Sequence, residues 1–513
     1  MSIDFIIADR DTPFLFPPSV QEWLPEDHLA RFVVDMVGQL SVSSLRGVYV
    51  GKGSRPYDPA LMLSLLFFGY STGVFSSRKL EQATYDSVAF RYITGNQHPD
   101  HDTIAMFRKR FSSELKDLFN QILIIANEMG ILKLGAVSLD GTKVKANASK
   151  HQALSWQHAC NIEQQLKREV EQLWLLADEA DQALIPDGMK IPEELVRREN
   201  RLATIAEAKK KIEARATERY EQEKQAYDNK IAEREKKAKE RGRKPGGKAP
   251  KPPEPGPKPH DQVNLTDEES RIMPTSGGGF MQAFNAQTCV DIATMLIVAT
   301  HMTQQSNDKQ QIDPAIEMLE QLPEQLGQVK EIIADAGYFS KSNVDACENA
   351  GINPLIAVGR EKHNKGIEER FSNPEPLAED ADSVTKMKHR LKTPEGKAIY
   401  GMRKSTVEPV FGIIKSVLGY RQFMRRGLEN VDAEWTLVSL AWNLKRMHVL
   451  AKPRPKTAVM AACKAKSGAQ GSQLGLFCST MRLIWFSMAK MNVKRKIEDF
   501  FALRLSIVSP TGC

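Results

Sequence analysis

The stretch Gly135-Ala-Val-Ser-Leu-Asp-Gly-Thr-Lys-Val-Lys-Ala-Asn147 decides how this chain is read. Before it, apolar residues recur every three or four positions. Within it they alternate. Val137, Leu139 and Gly141 fall on one side, and Ser138, Asp140 and Thr142 on the other. A period of two marks a strand with one face on a core. The change predicts a helical segment over residues 1–130 and then a strand that runs towards Asn147. Asp140 ends the apolar run 136–139, and an Asp-Gly pair there also suits a turn. The residues leave both readings open.

Upstream, residues 59–69 read as an apolar helix. Ser76-Ser77-Arg-Lys-Leu-Glu81 reads as a serine cap with a capping-box glutamate. A long helix is predicted after Asp102, capped by Thr103. Ile104, Phe107, Phe111, Leu115, Leu118, Ile122, Ile125 and Met129 share one face of it, and Gly130 closes it. Its polar side carries Arg108, Lys109 and Arg110. For these three, a solvated face and a helix that meets a DNA duplex are both open.

Downstream, period two stops. Residues 161–184 are predicted helical, with Ile162, Leu166, Val170 and Leu173 on one face, until Ile185-Pro-Asp-Gly188 breaks them. Residues 192–240 form a second long helix with sparse apolar positions at Leu195, Leu202, Ile205 and Ile212. Two such helices joined by a short turn predict an antiparallel hairpin, with scaffold, dimer contact and DNA clamp all open as roles. Residues 242–261 are a Pro/Gly/Lys linker. Strands are then predicted at 281–291 and 295–301, a helix at 308–322 and a buried strand at 329–334 ending on Asp335. A helix at 341–349, closed by Gly351, and a strand at 354–358 follow.

The expected fold is α/β. A mixed-sheet catalytic domain (131–150 and 262–450) follows an all-α DNA-binding domain (1–130). A coiled-coil-like helical insertion (151–241) comes after the first core strand, then the linker (242–261). Residues 451–513 form a tail whose apolar segment 474–490 reads as one helix or as plain appended chain.

Three acids stand in settings that suit a metal: Asp140, Asp335 and Glu408. Two aspartates at strand ends and a glutamate on a later helix can hold two divalent cations, and such a pair cuts and joins phosphodiesters. Oxygen ligands favour Mg²⁺ or Mn²⁺ over zinc. The strand order matches an RNase H-like arrangement, in which the first and fourth strands are neighbours and bring Asp140 beside Asp335. Glu408 and Lys415 are seven apart, about two helical turns, and share a face. Phe411 and Ile414 are predicted to pack on the sheet. Pro409, without an amide hydrogen, starts or kinks the helix at Glu408. Tyr400 and Arg403 precede the glutamate, and Arg421, Arg425 and Arg426 follow it. That basic face suits a phosphate backbone. Asn285 and Gln287 on the second strand read as supporting residues rather than ligands.

These residues resemble the DDE-type insertion-sequence transposases of bacteria. Tyr57-Asp-Pro-Ala-Leu-Met-Leu63, Ser77-Arg-Lys-Leu-Glu81 and Pro99-Asp-His-Asp-Thr103 are similar to their N-terminal helical domain. Leu139-Asp-Gly-Thr142 and Ala334-Asp-Ala-Gly-Tyr338 are similar to their catalytic signatures, and residues 400–415 to the Tyr-Arg-Glu-Lys signature of that superfamily. Arg421 to Gly427 and Trp442-Asn-Leu-Lys445 look like its usual continuation. The resemblance covers about residues 10–450. One departure stands out. Four residues separate Arg403 from Glu408, where the signature has three, so Lys404 is an alternative to Arg403. The gap of six between Glu408 and Lys415 is kept.

The resemblance implies that Asp140 bridges two Mg²⁺ (or Mn²⁺) ions, with Asp335 on one and Glu408 on the other. Water then nicks the element end, and the freed 3′-OH attacks target DNA. Lys415, Tyr400 and Arg403 would hold the terminal phosphates. The implied partners are double-stranded DNA, both element ends and target, and a second copy of the chain, as a homodimer or more on DNA. A metal-dependent nuclease on the same fold and a catalytically silent end-binding protein are the alternatives.

The composition agrees. At 513 residues, 41% of them hydrophobic, the chain is long enough for two or three domains. A net charge of +7 is mildly basic, a weak pointer to nucleic acid. Six cysteines at 160, 289, 347, 463, 478 and 513 form no CxxC and read as reduced thiols. The start Met-Ser-Ile-Asp-Phe has no signal-peptide pattern. The longest apolar stretch, 474–490, carries Arg482 and Lys490 and falls short of the ~20 residues that span a bilayer. The expected location is the cytoplasm, at the nucleoid, with no membrane partner.

Overall fold

A computed structural model describes residues 19–49, 55–180, 191–242, 249–275, 277–359, 376–377 and 381–452. The chain opens with helices α1 (Leu29–Gln39), α2 (Ser43–Gly47), α3 (Pro59–Thr72), α4 (Ser77–Asp86), α5 (Val88–Thr94), α6 (His101–Arg110) and α7 (Leu115–Glu128). Strands β1 (Ala136–Lys145) and β2 (Ala153–Ser155) lead to the long helices α8 (Trp156–Ala180) and α9 (Ile191–Arg241). Then come β3 (Gln262–Asn264), β4 (Arg271–Pro274), β5 (Phe280–Asp291), β6 (Ile297–Thr303), α10 (Ile312–Glu320), β7 (Glu331–Ala334), α11 (Lys341–Asn349) and β8 (Asn353–Ile356). Helices α12 (Ser383–Lys392), α13 (Pro394–Gly401), α14 (Val407–Gly412) and α15 (Leu428–Ala451) complete it.

The fold is mixed α/β and divides into two compact units. One takes in the described residues up to Val144 and from Asn285 onward; the other is Lys145–Phe284.

In the first unit the strands lie in the order β6-β5-β1-β7-β8. β6 runs antiparallel to β5, while β7 and β8 add in parallel beyond β1. β1 and β7 pair Ala136 with Glu331, Val137 with Ile332 and Ser138 with Ile333. Two residues further in the same register, Asp140 comes alongside Asp335. Val137, Ser138 and Leu139 are all fully buried, so this part of β1 is covered on both faces.

Helix α15 seals the outer edge of this sheet. The Asn443 side chain accepts from the Ile297 amide (2.8 Å) and donates to the Ile297 carbonyl (2.7 Å). Trp442 donates to Met295 O (2.9 Å) and Arg446 to Thr294 O (2.7 Å). An edge strand's unpaired backbone groups are thereby satisfied by side chains. On its other side α15 meets α3, where Ser71 donates to Ala441 O (2.9 Å) and Lys445 to Ser71 O (2.9 Å). α3 is apolar all round because it is buried all round. Asp58 caps it, accepting from Ala60 N at 2.7 Å, and Pro59 takes its first position.

Several local expectations are corrected. The single helix after Asp102 is two, α6 and α7, broken over 111–114. Its cap is Asp100, which accepts from Thr103 N at 2.6 Å, not Thr103 itself. Ser112 turns back to Lys109 O (3.0 Å) at the break, yet Phe111 and Leu115 both stay buried, so the apolar spacing passes through it unchanged. The capping box does not form. Ser76 caps α4 without a side-chain bond. Glu81 stands two residues past the reciprocal position, which Lys79 occupies, and instead accepts from the amide (3.2 Å) and ring (2.7 Å) of His101. Strands β2, β3 and β4 are too short to show a period. α12 and α13, capped by Asp382 and Thr393, were likewise not foreseen.

In the second unit α8 and α9 run antiparallel: Glu163 pairs with Lys209 (2.7 Å) and Glu169 with Arg198 (2.8 Å). Leu154, Ala159, Leu166, Ile205, Ala208, Ile212 and Val263 form their core. β2 pairs with β3, and β4 with the first residues of β5. Part of the expected linker lies against α9, where Arg219 bonds Asp261 (2.7 Å) and Gly256 O (3.3 Å).

The break at 185–188, linker residues 243–248, the tail from 453 with its apolar segment 474–490, and Cys463, Cys478 and Cys513 lie outside the described residues. Cys160, Cys289 and Cys347 are free thiols. No single described helix is long and apolar enough to cross a membrane.

Asn443→Ala leaves an amide and a carbonyl of Ile297 buried without partners. It is expected to destabilise the protein by about 2–4 kcal/mol, read as a lower urea midpoint.

Candidate active site

Asp140 sits inside β1, which continues through Gly141 to Lys145, so the turn reading of Asp-Gly is excluded. Its side chain is 19% exposed. Burial raises its pKa to about 6; the charges of Asp335 and Asp308 add to the rise, and the Gly141 amide and Arg403 oppose it. The Gly141 amide donates to its Oδ1 at 2.8 Å.

Gly141 explains its own identity. A Cβ there would meet Gln287 Nε2 at 2.3 Å, Asp308 Oδ1 at 2.6 Å and Asn285 Oδ1 at 3.0 Å. Only the bare Cα lets these side chains close on the strand.

Asp335, half-buried, follows β7 and caps a 3₁₀ turn, Ala336–Tyr338, accepting from Gly337 N at 2.7 Å. It is therefore a cap and a neighbour of Asp140 at once. Tyr338 is fully buried and its hydroxyl donates to Gln287 Oε1 at 2.5 Å.

Glu408 lies in the first turn of α14 with 53% of its side chain exposed. The Arg403 guanidinium stands 3.6 Å from Asp140 Oδ2 and 3.5 Å from Glu408 Oε1, and is 14% exposed. Arg403 thus joins the two acids despite its longer spacing, while Lys404 is exposed. After α14 the helix widens to a π-helical stretch, Ile413–Val417. This turns Lys415 towards β1. Its Nζ donates to the Thr142 hydroxyl (2.6 Å) and to Lys143 O (2.6 Å), and burial lowers its pKa to about 8. Phe411 and Ile414 are buried as expected.

Other residues lie elsewhere. Tyr400 packs with Ile292, Ile333 and Leu355. Arg421 is exposed and bonds Lys415 O at 3.2 Å. Arg425 turns to Asn430, and Arg426 is exposed. Arg108 points inward to the Tyr70 hydroxyl (2.8 Å) and Phe75 O (3.1 Å). Lys109 is exposed, and Arg110 lies over the Tyr49 ring at 5.0 Å.

Asp308 was not anticipated. The helix expected from residue 308 begins only at Ile312, and nothing in the local spacing marks Asp308. Its Oδ1 accepts from Asn285 (2.8 Å) and Gln287 (2.7 Å).

Among the described residues no three His, Cys, Asp or Glu side chains are already set around a metal position. The donor set is nevertheless all-oxygen, with two carboxylates on adjacent strands, which fits Mg²⁺ or Mn²⁺. The Arg403 guanidinium stands between Asp140 and Glu408, 3.6 Å from the one and 3.5 Å from the other.

Residues 18–110 match the transposase domain (DUF772) and residues 249–444 the transposase DDE domain. The second match contains Asp335 and Glu408; Asp140 lies between the two. Searches of curated proteins and of solved structures give no match. The DDE-domain match makes this an enzyme that cleaves and transfers DNA. The two matched stretches span more than half of the chain and make it a DDE-type transposase.

Two outcomes are expected. Gly141→Ala forces Gln287 and Asp308 apart and is expected to cost about 1–3 kcal/mol, read by thermal melting. Folding raises the Asp140 pKa, so this group favours the folded state while protonated and loses that effect as pH rises through about 6. Metal-free Asp140→Asn is accordingly expected to melt a few degrees above wild type at pH 8. The difference should vanish below about pH 4.

Proposed function

We propose that the enzyme cuts the ends of its own element and joins the freed 3′-OH to target DNA, on an RNase H-like core. Asp140, Asp335 and Glu408 would hold two Mg²⁺ or Mn²⁺ ions. The observation that carries this reading is the buried Asp140 carboxylate beside Asp335 on adjacent parallel strands. The strand order β6-β5-β1-β7-β8 supports the RNase H-like assignment.

When bound, the metal pair supplies an activated water and stabilisation of the leaving 3′ oxygen. The rest falls to the protein. Arg403 neutralises Asp140 and Glu408 in the absence of DNA and passes to a phosphate when DNA arrives. Lys415, fixed at Thr142 and Lys143, sets a positive charge at the end of β1 for the terminal phosphate. The exposed Arg421 and Arg426 extend that basic face along the backbone, and Tyr400, packed against Ile292, Ile333 and Leu355, acts through packing. Lys109 and Arg110 serve the helical region 1–130 in recognising the ends. Arg108 and Arg425, which point inward, act through packing. The hairpin 151–241 and linker 242–261 are insertions in the catalytic domain. Two copies act on two ends, in the cytoplasm at the nucleoid.

The test uses purified protein, Mg²⁺ and a plasmid that carries the gene with its flanking DNA. Wild type is expected to cut at inverted repeats that border the gene. Asp140→Asn should bind the same DNA and cut at least about 100-fold more slowly. Normal cutting by Asp140→Asn would remove the metal-site assignment. Cutting without transfer into a target plasmid would mark a nuclease instead, and binding without cutting by wild type a silent end-binding protein.

A further inference from the structure

Asp308 has no role in the site as proposed, yet four buried or half-buried polar groups are organised around it. Gln287 is fully buried, and both ends of its amide are used. Its Oε1 accepts from Tyr338 (2.5 Å), and its Nε2 donates to Asp308 Oδ1 (2.7 Å). Asn285, 1% exposed, donates to the same oxygen (2.8 Å) and to Gln305 O (3.2 Å). The loop is itself held, since the Gln311 amide donates to the Asp308 backbone carbonyl (3.1 Å). Two side-chain amides converging on one oxygen need an acceptor with both lone pairs available, which a carboxylate supplies.

This network touches both aspartates through one intermediate each. On one side, Gln287, Asn285 and Asp308 close on the bare Cα of Gly141. The amide of Gly141 holds the Asp140 carboxylate at 2.8 Å. On the other side, Tyr338 ends the turn that Asp335 caps. Without the Asp308 acceptor, the buried Gln287 NH₂ loses its partner and the Asn285 NH₂ keeps only Gln305 O. Gln287 is then held by the Tyr338 hydroxyl alone, and its hold on Gly141 and Tyr338 loosens together.

We infer that Asp308 is a positioning residue that holds Asp140 and Asp335 in register with each other through Gln287 and Asn285. The inference rests on the proposed metal-dependent chemistry of those two aspartates. The role lies in Oδ1, the oxygen that accepts from both amides. What acts is the acceptor oxygen rather than the negative charge.

The experiment compares wild type, Asp308→Asn, Asp308→Ala and Asp140→Asn as full-length proteins. Mn²⁺ binding is titrated by electron paramagnetic resonance. Single-turnover cleavage of the same plasmid gives a rate and a half-saturating DNA concentration. Asp308→Ala is expected to weaken Mn²⁺ binding and slow cleavage by about 10–100-fold, with half-saturating DNA unchanged. Asp308→Asn keeps an acceptor oxygen in place and is expected to restore both towards wild type.

Equal damage from Asn and Ala would overturn the inference, because the charge would then be what acts. So would wild-type binding and rate in Asp308→Ala. A loss in Asp308→Ala that only tracks its unfolded fraction at the assay temperature would overturn it too. Mn²⁺ binding by Asp140→Asn equal to wild type would sink the metal reading itself and this inference with it. An inactive Asp140→Asn beside a fully active Asp308→Ala would sink the inference alone.

Discussion

A carboxylate placed inside a sheet is the constraint around which this molecule is arranged. Asp140 sits on a central strand where water reaches only a fifth of its side chain. Charge in such a place is costly unless hydrogen bonds or opposite charge offset the lost hydration. Here the offset is partial. One amide and one loosely placed guanidinium favour the ion, and two further aspartates oppose it. A sequence selected for stability alone would not place Asp140, Asp335 and Asp308 within each other's field. Under the proposed chemistry the balance is met when positive charge arrives from outside, as a cation that Asp140 and Asp335 together attract more strongly than either alone.

Holding acids together against their own repulsion requires a stiff frame. The stiffness comes from closing the sheet edge. Asn443 pairs with both backbone groups of Ile297, and Trp442 and Arg446 take the carbonyls just before it. The helix that carries them also packs on α3 through Ser71 and Lys445, so the N-terminal helices and the sheet share one support. This accounts for Arg108. Its position on a helical polar face suggested contact with DNA, but the helix packs there, and the guanidinium bonds Tyr70 and Phe75 O instead. Gly73 follows the same logic. At φ +86° it ends α3, and a side chain there would come within 2.8 Å of Leu418 O, in the loop that follows Lys415.

What could be read from the residues depended on whether a period survived. β1, β5 and β7 bury one or both faces, so their pattern is plain in the sequence, and their order alone makes Asp140 and Asp335 neighbours. The break between α6 and α7 was hidden because the turn at 111–114 keeps Phe111 and Leu115 in the same apolar phase. Asp308 was hidden for the opposite reason. It lies in a loop with no period, and its importance arises from Asn285 and Gln287, which come from another strand. Those two were read as supporting residues without any sign of what they support. α12 and α13 carried their caps in the sequence, Asp382 and Thr393-Pro394, but too few apolar residues to draw attention.

The spacing around Glu408 follows from the same geometry. Counting back, Arg403 stands one residue further from the glutamate than the related signature has it; counting forward, the helix widens into a π turn before Lys415. Both features act on direction more than on distance. The residues 402–406 are a run of turns rather than helix, so an additional residue there does not rotate Arg403 by the 100° it would inside a helix. The guanidinium still reaches Asp140 and Glu408. The π turn then swings Lys415 inward to Thr142 and Lys143, away from the face that Glu408 presents to solvent. One basic group thereby meets the acids and the other meets the backbone beside them. Under the proposed chemistry this division matters. Arg403 can exchange carboxylates for phosphate, and each exchange bares acids for a cation, so DNA binding and metal binding favour one another. Lys415, bonded to neutral oxygens alone, has no acid to release and keeps its position while that exchange takes place.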